Sequence, residues 1–251
     1  MEVATFAGVL GAVFGSFLNV VVYRLPRHES LVTPASHCPV CAAAVKPYDN
    51  VPILSWLLLR GHCRSCGSPI SPRYPLVEAL TAALCVGAVL AHHTAATIAL
   101  SVVLILLVVP AAVIDLEHRI IPNQITGLGA VLALIVGVTL DPGGEPARLI
   151  AGAAAGGFLL LAALAYPGGM GMGDVKLAGM MGLFLGSAVA PALLVGLLAG
   201  VTLGVFVIAR KGATAGRKTA VPFGPFLALG AVFAVFLGPQ LVHVYVNHFL
   251  H

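Results

Sequence analysis

The chain has 251 residues, of which 59% are hydrophobic and only 9% are charged. A typical soluble domain has about 25% charged residues, so this composition excludes an ordinary soluble protein and indicates an integral membrane protein. The formal net charge of +4 bears on orientation and lipid contact. It does not predict a nucleic-acid partner, because no basic stretch is interleaved with aromatic residues.

Residues 3–22 form the first predicted membrane span. The basic residues Arg24 and Arg27 follow the apolar run and do not precede it, so we expect a retained helix and not a cleaved signal peptide. Gly11 and Gly15 are four residues apart, a spacing that lets a neighbouring helix approach closely. Asn19 is the polar residue of this span, and we expect it to bond a neighbouring helix.

Residues 23–74 are the only long polar segment, and they contain two Cys-x-x-Cys pairs, Cys38/Cys41 and Cys63/Cys66. Two such pairs can arrange four thiolates tetrahedrally around zinc. The six basic residues of the segment predict a cytoplasmic location, where disulfides are disfavoured. We therefore expect a structural zinc site, with redox-active or merely reduced thiols as the alternative.

The remainder of the chain predicts seven more spans, which gives about eight in total. The basic residues favour eight spans over seven: with an outside N-terminus, every lysine and arginine except Arg148 then lies on the inner side. A seven-span version would export the basic cluster near residue 210. The predicted later spans are 75–91, 97–114, 125–140, 148–166, 177–190, 191–209 and 223–242.

The stretch Gly171-Met-Gly173-Asp174-Val-Lys176 interrupts this apolar sequence with an acid, a base and very little side-chain bulk. A carboxylate at mid-depth in a membrane costs about 2.5–3.5 kcal/mol on insertion scales, which favours a functional role for Asp174. The two glycines would let a substrate backbone come close to it. The alternative is an inter-helix loop in which Asp174 caps the next helix.

A second unusual acid, Asp115, ends the third predicted span, and Pro122 predicts a helix boundary just beyond it. In the eight-span arrangement Asp115 and Asp174 lie at the same membrane face. Two adjacent carboxylates can share one proton, because like charges a few ångströms apart oppose the ionisation of both. Such a pair could hydrolyse a peptide bond with water, without a metal or a covalent intermediate.

Several motifs, taken in order, resemble the bacterial prepilin peptidases, which are aspartic membrane proteases of the Gly-x-Gly-Asp kind. The resemblance covers nearly the whole chain. The motifs are Gly15-Ser-Phe-Leu-Asn19, Tyr23-Arg24-Leu-Pro26, the paired Cys-x-x-Cys, Arg73-Tyr-Pro-Leu-Val-Glu78, Asp115 with Ile121-Pro122-Asn123, Gly171-Met-Gly-Asp174-Val-Lys176 and Pro222-Phe-Gly-Pro225.

This resemblance implies that Asp115 and Asp174 are catalytic, that Gly171, Gly173 and Lys176 support them, and that the four cysteines bind zinc. The implied substrates are type IV prepilin or pseudopilin precursors, cleaved at the cytoplasmic face of the inner membrane. The new N-terminus would then be methylated with S-adenosylmethionine, although no residues of this chain predict the donor site. The implied division is a first helix at 1–22, a zinc domain at 23–74 that would carry the methyltransferase, and a peptidase domain at 75–251.

Two other functions stay open at this stage. A peptidase without methyltransferase activity would use the zinc segment only to shape the substrate entrance. An ion-coupled transporter would use Asp115 and Asp174 to bind an ion, a reading that favours acids near mid-depth and not at the ends of spans.

Overall fold

The computed structural model describes residues 2–166, 169–211 and 222–249. Within these ranges the chain is helical, and β-pairing is limited to two isolated bridges. The predicted all-α membrane fold is confirmed. The α-helices are α1 (Glu2–Arg24), α2 (Leu54–Leu58), α3 (Arg73–Ala91), α4 (Ala95–His118), α5 (Asn123–Leu140), α6 (Glu145–Ala165), α7 (Met172–Leu185), α8 (Val189–Lys211) and α9 (Gly224–Phe249).

Seven stretches of the described residues are long and apolar enough to cross a membrane, and one of them covers Met172–Arg210. That stretch contains both α7 and α8, which are separated by a 3₁₀ turn at Gly186–Ala188. Gly186 has a φ of 56°, a conformation that glycine adopts far more readily than other residues. The predicted boundary between residues 190 and 191 is therefore a few residues late, and α7 begins before the predicted start at 177.

Helices α7 and α8 run in opposite directions. Helix α8 is antiparallel to α9, since Gly196 packs against Phe226 and Gly230 packs against Ala192. Helix α9 begins beside the C-terminal end of α4, so α8 returns to that end of the bundle. Helix α7 starts there as well, so the single apolar stretch folds back on itself and the described chain holds eight long helices.

The chain divides into two compact units, residues 1–91 and 92–251. In the first unit α1 and α3 pack antiparallel through the predicted small residues: a Cβ on Gly11 would lie 2.8 Å from the Cα of Ala82. Asn19 is buried and its Nδ2 donates to the backbone oxygen of Tyr74 at 3.1 Å. The prediction that this asparagine bonds a neighbouring helix is confirmed.

In the second unit α4 to α9 form a bundle in which glycines again mark the closest contacts. Helices α6 and α7 are antiparallel, with Gly152 against Leu183 and Gly182 against the backbone of Ala151. In lipid the hydrophobic effect does not drive helices together, so their association depends on the close backbone packing that such small residues allow. Gly204, in contrast, faces open space, so not every glycine of α8 marks a helix contact.

The described basic residues of the second unit lie at its two ends. Arg119, Lys176 and Arg210 lie at the end where α4 finishes and α7 starts, whereas Arg148 lies at the opposite end, beside the turn at Gly186. The predicted grouping of basic residues is thus reproduced within this unit. Arg217 and Lys218, which complete the predicted basic cluster, lie outside the described residues.

Candidate active site

Asp115 lies in the last turn of α4 and is only 5% exposed. Helix α4 ends three residues later, at His118, and the next residue, Arg119, adopts a left-handed conformation and donates its N–H to the Asp115 backbone oxygen. The Asp115 carboxylate accepts a hydrogen bond of 2.8 Å from the backbone N–H of Gly224, the first residue of α9. The start of one helix therefore fixes the carboxylate at the end of another.

Asp174 lies in the first turn of α7 and is 8% exposed. Its carboxylate accepts the backbone N–H of Gly171 at 3.2 Å, in the manner of an acid that caps its own helix. The sequence left open whether Asp174 has a function or merely caps the next helix. The structure shows that it caps α7 and that the same carboxylate is buried.

The side chain of Ile121 packs against Gly173, which precedes Asp174, and against Gly224, which bonds Asp115. A Cβ on Gly173 would lie 3.0 Å from the Cβ of Ile121, and a Cβ on Gly224 would lie 3.1 Å from its Cδ1 and 2.8 Å from Asp115 Oδ2. Asp115 and Asp174 are both buried, and each lies next to a residue that packs on Ile121 or bonds such a residue. The helix ends around Ile121 therefore bring together the two carboxylates that the sequence singled out.

Lys176 lies one half-turn beyond Asp174 and is exposed. Its ammonium donates to the Oδ1 of Asn123, the first residue of α5, at 2.8 Å. This bond joins the start of α7 to the start of α5. Lys176 thus contacts the segment that follows Asp115, and Gly173 contacts the same segment through Ile121.

The second candidate site is the cluster of Cys38, Cys41, Cys63 and Cys66 in the first unit. The four sulfur atoms all lie within 4.8 Å of one another, with 3.8 Å between Cys38 and Cys66 and 4.0 Å between Cys41 and Cys63. A tetrahedral zinc ion with Zn–S bonds of about 2.3 Å separates its sulfur ligands by about 3.8 Å. The cluster could bind a metal ion, and its dimensions fit zinc.

The two cysteine pairs sit in equivalent turns. Ala42 and Gly67 each follow the second cysteine of a pair, each has a positive φ, and each donates its N–H to the oxygen of the first cysteine. Backbone N–H groups also stabilise thiolate: the bond from Cys41, aided by the Ser68 hydroxyl, lowers the pKa of Cys38 to about 6. Thiolates are the form in which cysteines bind zinc.

Three acids of the first unit have structural partners or face outward. Glu78 is buried and accepts the backbone N–H of Ile53 at 2.7 Å. Asp49 pairs with Arg64 at 2.6 Å, and this hydrogen-bonded guanidinium lowers the pKa of Asp49. Glu29 is exposed. None of the three is brought to the tetracysteine cluster as a further metal ligand.

Sequence reasoning missed the contact of Gly224 with Asp115. The motif Pro222-Phe-Gly-Pro225 was recognised without a role, and Gly224 was not included among the supporting residues. A glycine directly before a proline at the start of a long apolar run does signal a helix N-terminus. It does not signal which distant carboxylate receives the free N–H.

Comparison with known proteins identifies two matching families. Residues 9–92 match the Bacterial Peptidase A24 N-terminal domain, and residues 100–208 match the Type IV leader peptidase family. No solved structure matches the chain.

Curated relatives carry the name "Prepilin leader peptidase/N-methyltransferase". The chain is 35% identical to the Xanthomonas campestris protein, over 96% of this chain and 93% of the relative, and 33% identical to the Pseudomonas aeruginosa protein, over 95% and 92%. It is 39% identical to the Myxococcus xanthus protein, over 86% of this chain and 66% of that relative. With its apolar helices, these matches make the chain a multi-pass protein of the bacterial inner membrane. The chain belongs to the type IV leader peptidase family.

Proposed function

We propose that this protein cleaves the leader peptide of type IV prepilin-like precursors and then methylates the new N-terminus. One observation carries the peptidase proposal: two buried carboxylates, Asp115 and Asp174, lie at the same end of a helical bundle, around Ile121, in a chain of the leader peptidase family. The names of the relatives add the methyltransferase activity.

The proposed chemistry uses the two acids in complementary protonation states. The ionised acid takes a proton from a water molecule, whose oxygen attacks the carbonyl carbon of the scissile peptide, while the protonated acid gives its proton to the carbonyl oxygen. The proton that the first acid received then passes to the departing amine as the C–N bond breaks, and the second acid takes a proton back from a hydroxyl of the tetrahedral intermediate, which leaves a carboxylic acid. Burial of both carboxylates excludes bulk water and strengthens these transfers.

We infer that the Asp115 end of the bundle faces the cytoplasm. Arg119, Lys176 and Arg210 belong to helix ends on this side, and membrane proteins keep an excess of basic residues in the cytoplasm. The acids are then at the ends of spans, next to the compartment that contains a precursor's leader. An ion carrier would favour acids near mid-depth, so the transporter alternative receives no support.

We propose zinc as the metal of the tetracysteine cluster, with a structural role, because four sulfur ligands leave no open coordination position. The segment 23–74 has few secondary-structure elements, so the metal would supply much of its folding energy. In the methylation step S-adenosylmethionine supplies the methyl group. The residues of this segment would serve that step, and the peptidase residues belong to 75–251.

The test of the peptidase proposal is the pair of substitutions Asp115→Asn and Asp174→Asn in the full-length protein in detergent. Each should lower leader cleavage by about 10²–10⁴-fold, the usual contribution of a positioned acid or base. Asp141→Asn is the matched control, because Asp141 lies at the other end of the bundle, and it should cleave normally. Normal cleavage by either Asp115→Asn or Asp174→Asn, measured by mass spectrometry of the precursor, refutes the proposal.

A further inference from the structure

A cavity of about 370 Å³ lies in the first unit, beside the C-terminal half of α1. One wall is the face of α1 that carries Ser16, Phe17 and Arg24, and the opposite walls come from the polar segment around residues 31–36 and 50–52. Its volume lies within the range of about 300–1,000 Å³ that is usual for small-molecule sites. It is distinct from the tetracysteine cluster, whose sulfur atoms do not line it.

The charged group of this cavity is Arg24, which is only 7% exposed. Its guanidinium donates to two backbone oxygens, those of Ser30 at 2.9 Å and Pro34 at 2.7 Å. In the described part of the first unit no carboxylate forms an ion pair with it. A guanidinium has five N–H donors and is always charged, so this buried cation keeps donors for an anionic group in the cavity.

The rest of the wall combines polar and apolar groups. Ser16, Ser36 and Asn50 have side chains without a hydrogen-bond partner among the described residues, and they alternate with Phe17 and Pro52. Unpaired hydroxyl and amide groups suit a ligand that carries its own donors and acceptors, and the ring of Phe17 suits a flat heterocycle. The wall therefore fits a ligand with an oxyanion at one end and a polar ring system at the other.

We propose that this cavity binds the methyl donor S-adenosylmethionine, with its amino-acid carboxylate on Arg24 and its nucleoside along Asn50, Ser36 and Phe17. The inference rests on the proposed methyltransferase function and assigns a site to it. The phosphate of a phospholipid headgroup is also an oxyanion that Arg24 could bind, and the cavity lies beside a membrane helix. The experiment is therefore arranged to separate these two sources.

The test measures binding of S-adenosylhomocysteine, the demethylated donor, to the full-length protein in detergent by calorimetry. The wild type should bind one equivalent. Arg24→Gln and Asn50→Leu should each weaken binding at least tenfold, and Val32→Trp should weaken it by narrowing the cavity. Val32 is 83% exposed and the Asn50 side chain forms no hydrogen bond with the residues that the structure describes, so these two variants should fold even where Arg24→Gln does not.

Leu58→Trp is the matched control, since Leu58 is 81% exposed in the same unit and does not line the cavity; it should bind like the wild type. Leader cleavage should persist in all folded variants, and methyl transfer should fall with binding. If Asn50→Leu and Val32→Trp bind the probe like the wild type, the cavity is not the donor site, although the methyltransferase proposal survives. If the wild type binds no probe and transfers no methyl group, both fail.

The second arm adds dihexanoyl phosphatidylglycerol, a short-chain anionic phospholipid. Under the proposal the lipid leaves binding of S-adenosylhomocysteine unchanged. If the lipid binds in an Arg24-dependent manner and displaces the probe, the cavity is a headgroup site and the donor assignment is overturned.

Discussion

The backbone N–H of Gly224 donates to the carboxylate of Asp115 across 2.8 Å, although 109 residues separate them in the chain. The first N–H groups of a helix have no partner within that helix, so the start of α9 offers a donor and partial positive charge to the acid. Position 224 also has no room for a side chain beside the carboxylate. Gly224 is therefore a positioning residue for the proposed acid pair.

Gly224→Ala should reduce leader cleavage strongly while the protein remains folded. The added Cβ would lie 2.8 Å from Asp115 Oδ2 and 3.1 Å from its Cγ, so the carboxylate has to move. A displacement of about 1 Å in a catalytic group can cost about 10²-fold in rate. We expect kcat to fall by about one to two orders of magnitude, with little change in KM, in a cleavage assay with purified precursor.

Gly157→Ala provides the control for this substitution. A Cβ at Gly157 in α6 meets nothing within 4 Å, so alanine there adds the same atom to a membrane helix without a collision. It should cleave like the wild type. Equal activity of the two alanine variants would contradict the positioning role of Gly224.

Because Lys176 and Asn123 are hydrogen-bonded to each other, we expect that the effects of replacing them on stability and leader cleavage are not additive. Lys176→Met and Asn123→Leu each remove the 2.8 Å hydrogen bond, which contributes about 0.5–1.5 kcal/mol when well formed. Each should lower the thermal stability slightly and cleavage several-fold, since the bond holds the first turn of α7, where Asp174 lies. The double variant should be no worse than the more damaging single variant.

Lys46→Met controls for the loss of a lysine, because Lys46 belongs to the first unit and contacts the ring of Tyr48. Its cleavage activity should be unaffected. Strictly additive losses in the double variant, measured as ratios of kcat/KM, would show that Lys176 and Asn123 act independently.

The sequence predicted the helices of this fold well because membrane helices can be recognised from their composition. Runs of about 20 apolar residues bounded by charge define the spans, and the asymmetry of basic residues resolved the Met172–Arg210 stretch into two helices. The start of α7 was harder. Glycines at 171 and 173 are typical of a loop. In the structure, however, the Asp174 carboxylate caps α7, which begins at Met172 and so includes both Asp174 and Lys176.

The candidate site could be predicted as a set of residues but not as an arrangement. Asp115 and Asp174 stand out because an acid in apolar sequence is costly. Their proximity depends on contacts with Ile121, whose side chain has no polar signal in the sequence. The donor from Gly224 is a backbone group, which every residue except proline has, so sequence could not single it out.

The tetracysteine cluster predicts one zinc ion per chain. Cys38→Ser and Cys66→Ser should each remove the metal, because three thiolates and a hydroxyl no longer form the closed site. Segment 23–74 should then become sensitive to proteases. Metal content by mass spectrometry and limited proteolysis would measure both effects.

Cys85→Ser is the matched control for the metal experiment. Cys85 is 2% exposed within α3 and lies apart from the four clustered sulfur atoms, so its variant should keep the metal. Full zinc occupancy in Cys38→Ser, or a metal-free wild type with full cleavage and methylation, would rule out the structural role of zinc.

Arg148 joins the ends of α5 and α6 on the side of the bundle opposite to the acid pair. Its guanidinium bonds the carboxylate of Asp141 at 2.7 Å and that of Glu145 at 3.0 Å. Arg148 and Glu145 are both buried. Removing one partner of a buried ion pair typically costs about 3–5 kcal/mol, because the remaining charge is left without compensation.

Arg148→Leu should therefore lower the unfolding temperature markedly while the folded fraction still cleaves precursor at the normal rate. The other partner, Asp141, is partly exposed, and its titration makes the stability of the protein depend on pH. Arg148 lowers the pKa of Asp141 below its unfolded value of about 3.9, so the stabilisation is present above that pH and is lost as the pH falls through the folded-state pKa. As the pH is lowered, the unfolding temperature of Asp141→Asn should therefore fall less than that of the wild type. Unchanged stability of Arg148→Leu, or loss of turnover in its folded fraction, would show that this cluster has a different role from holding the α5–α6 turn.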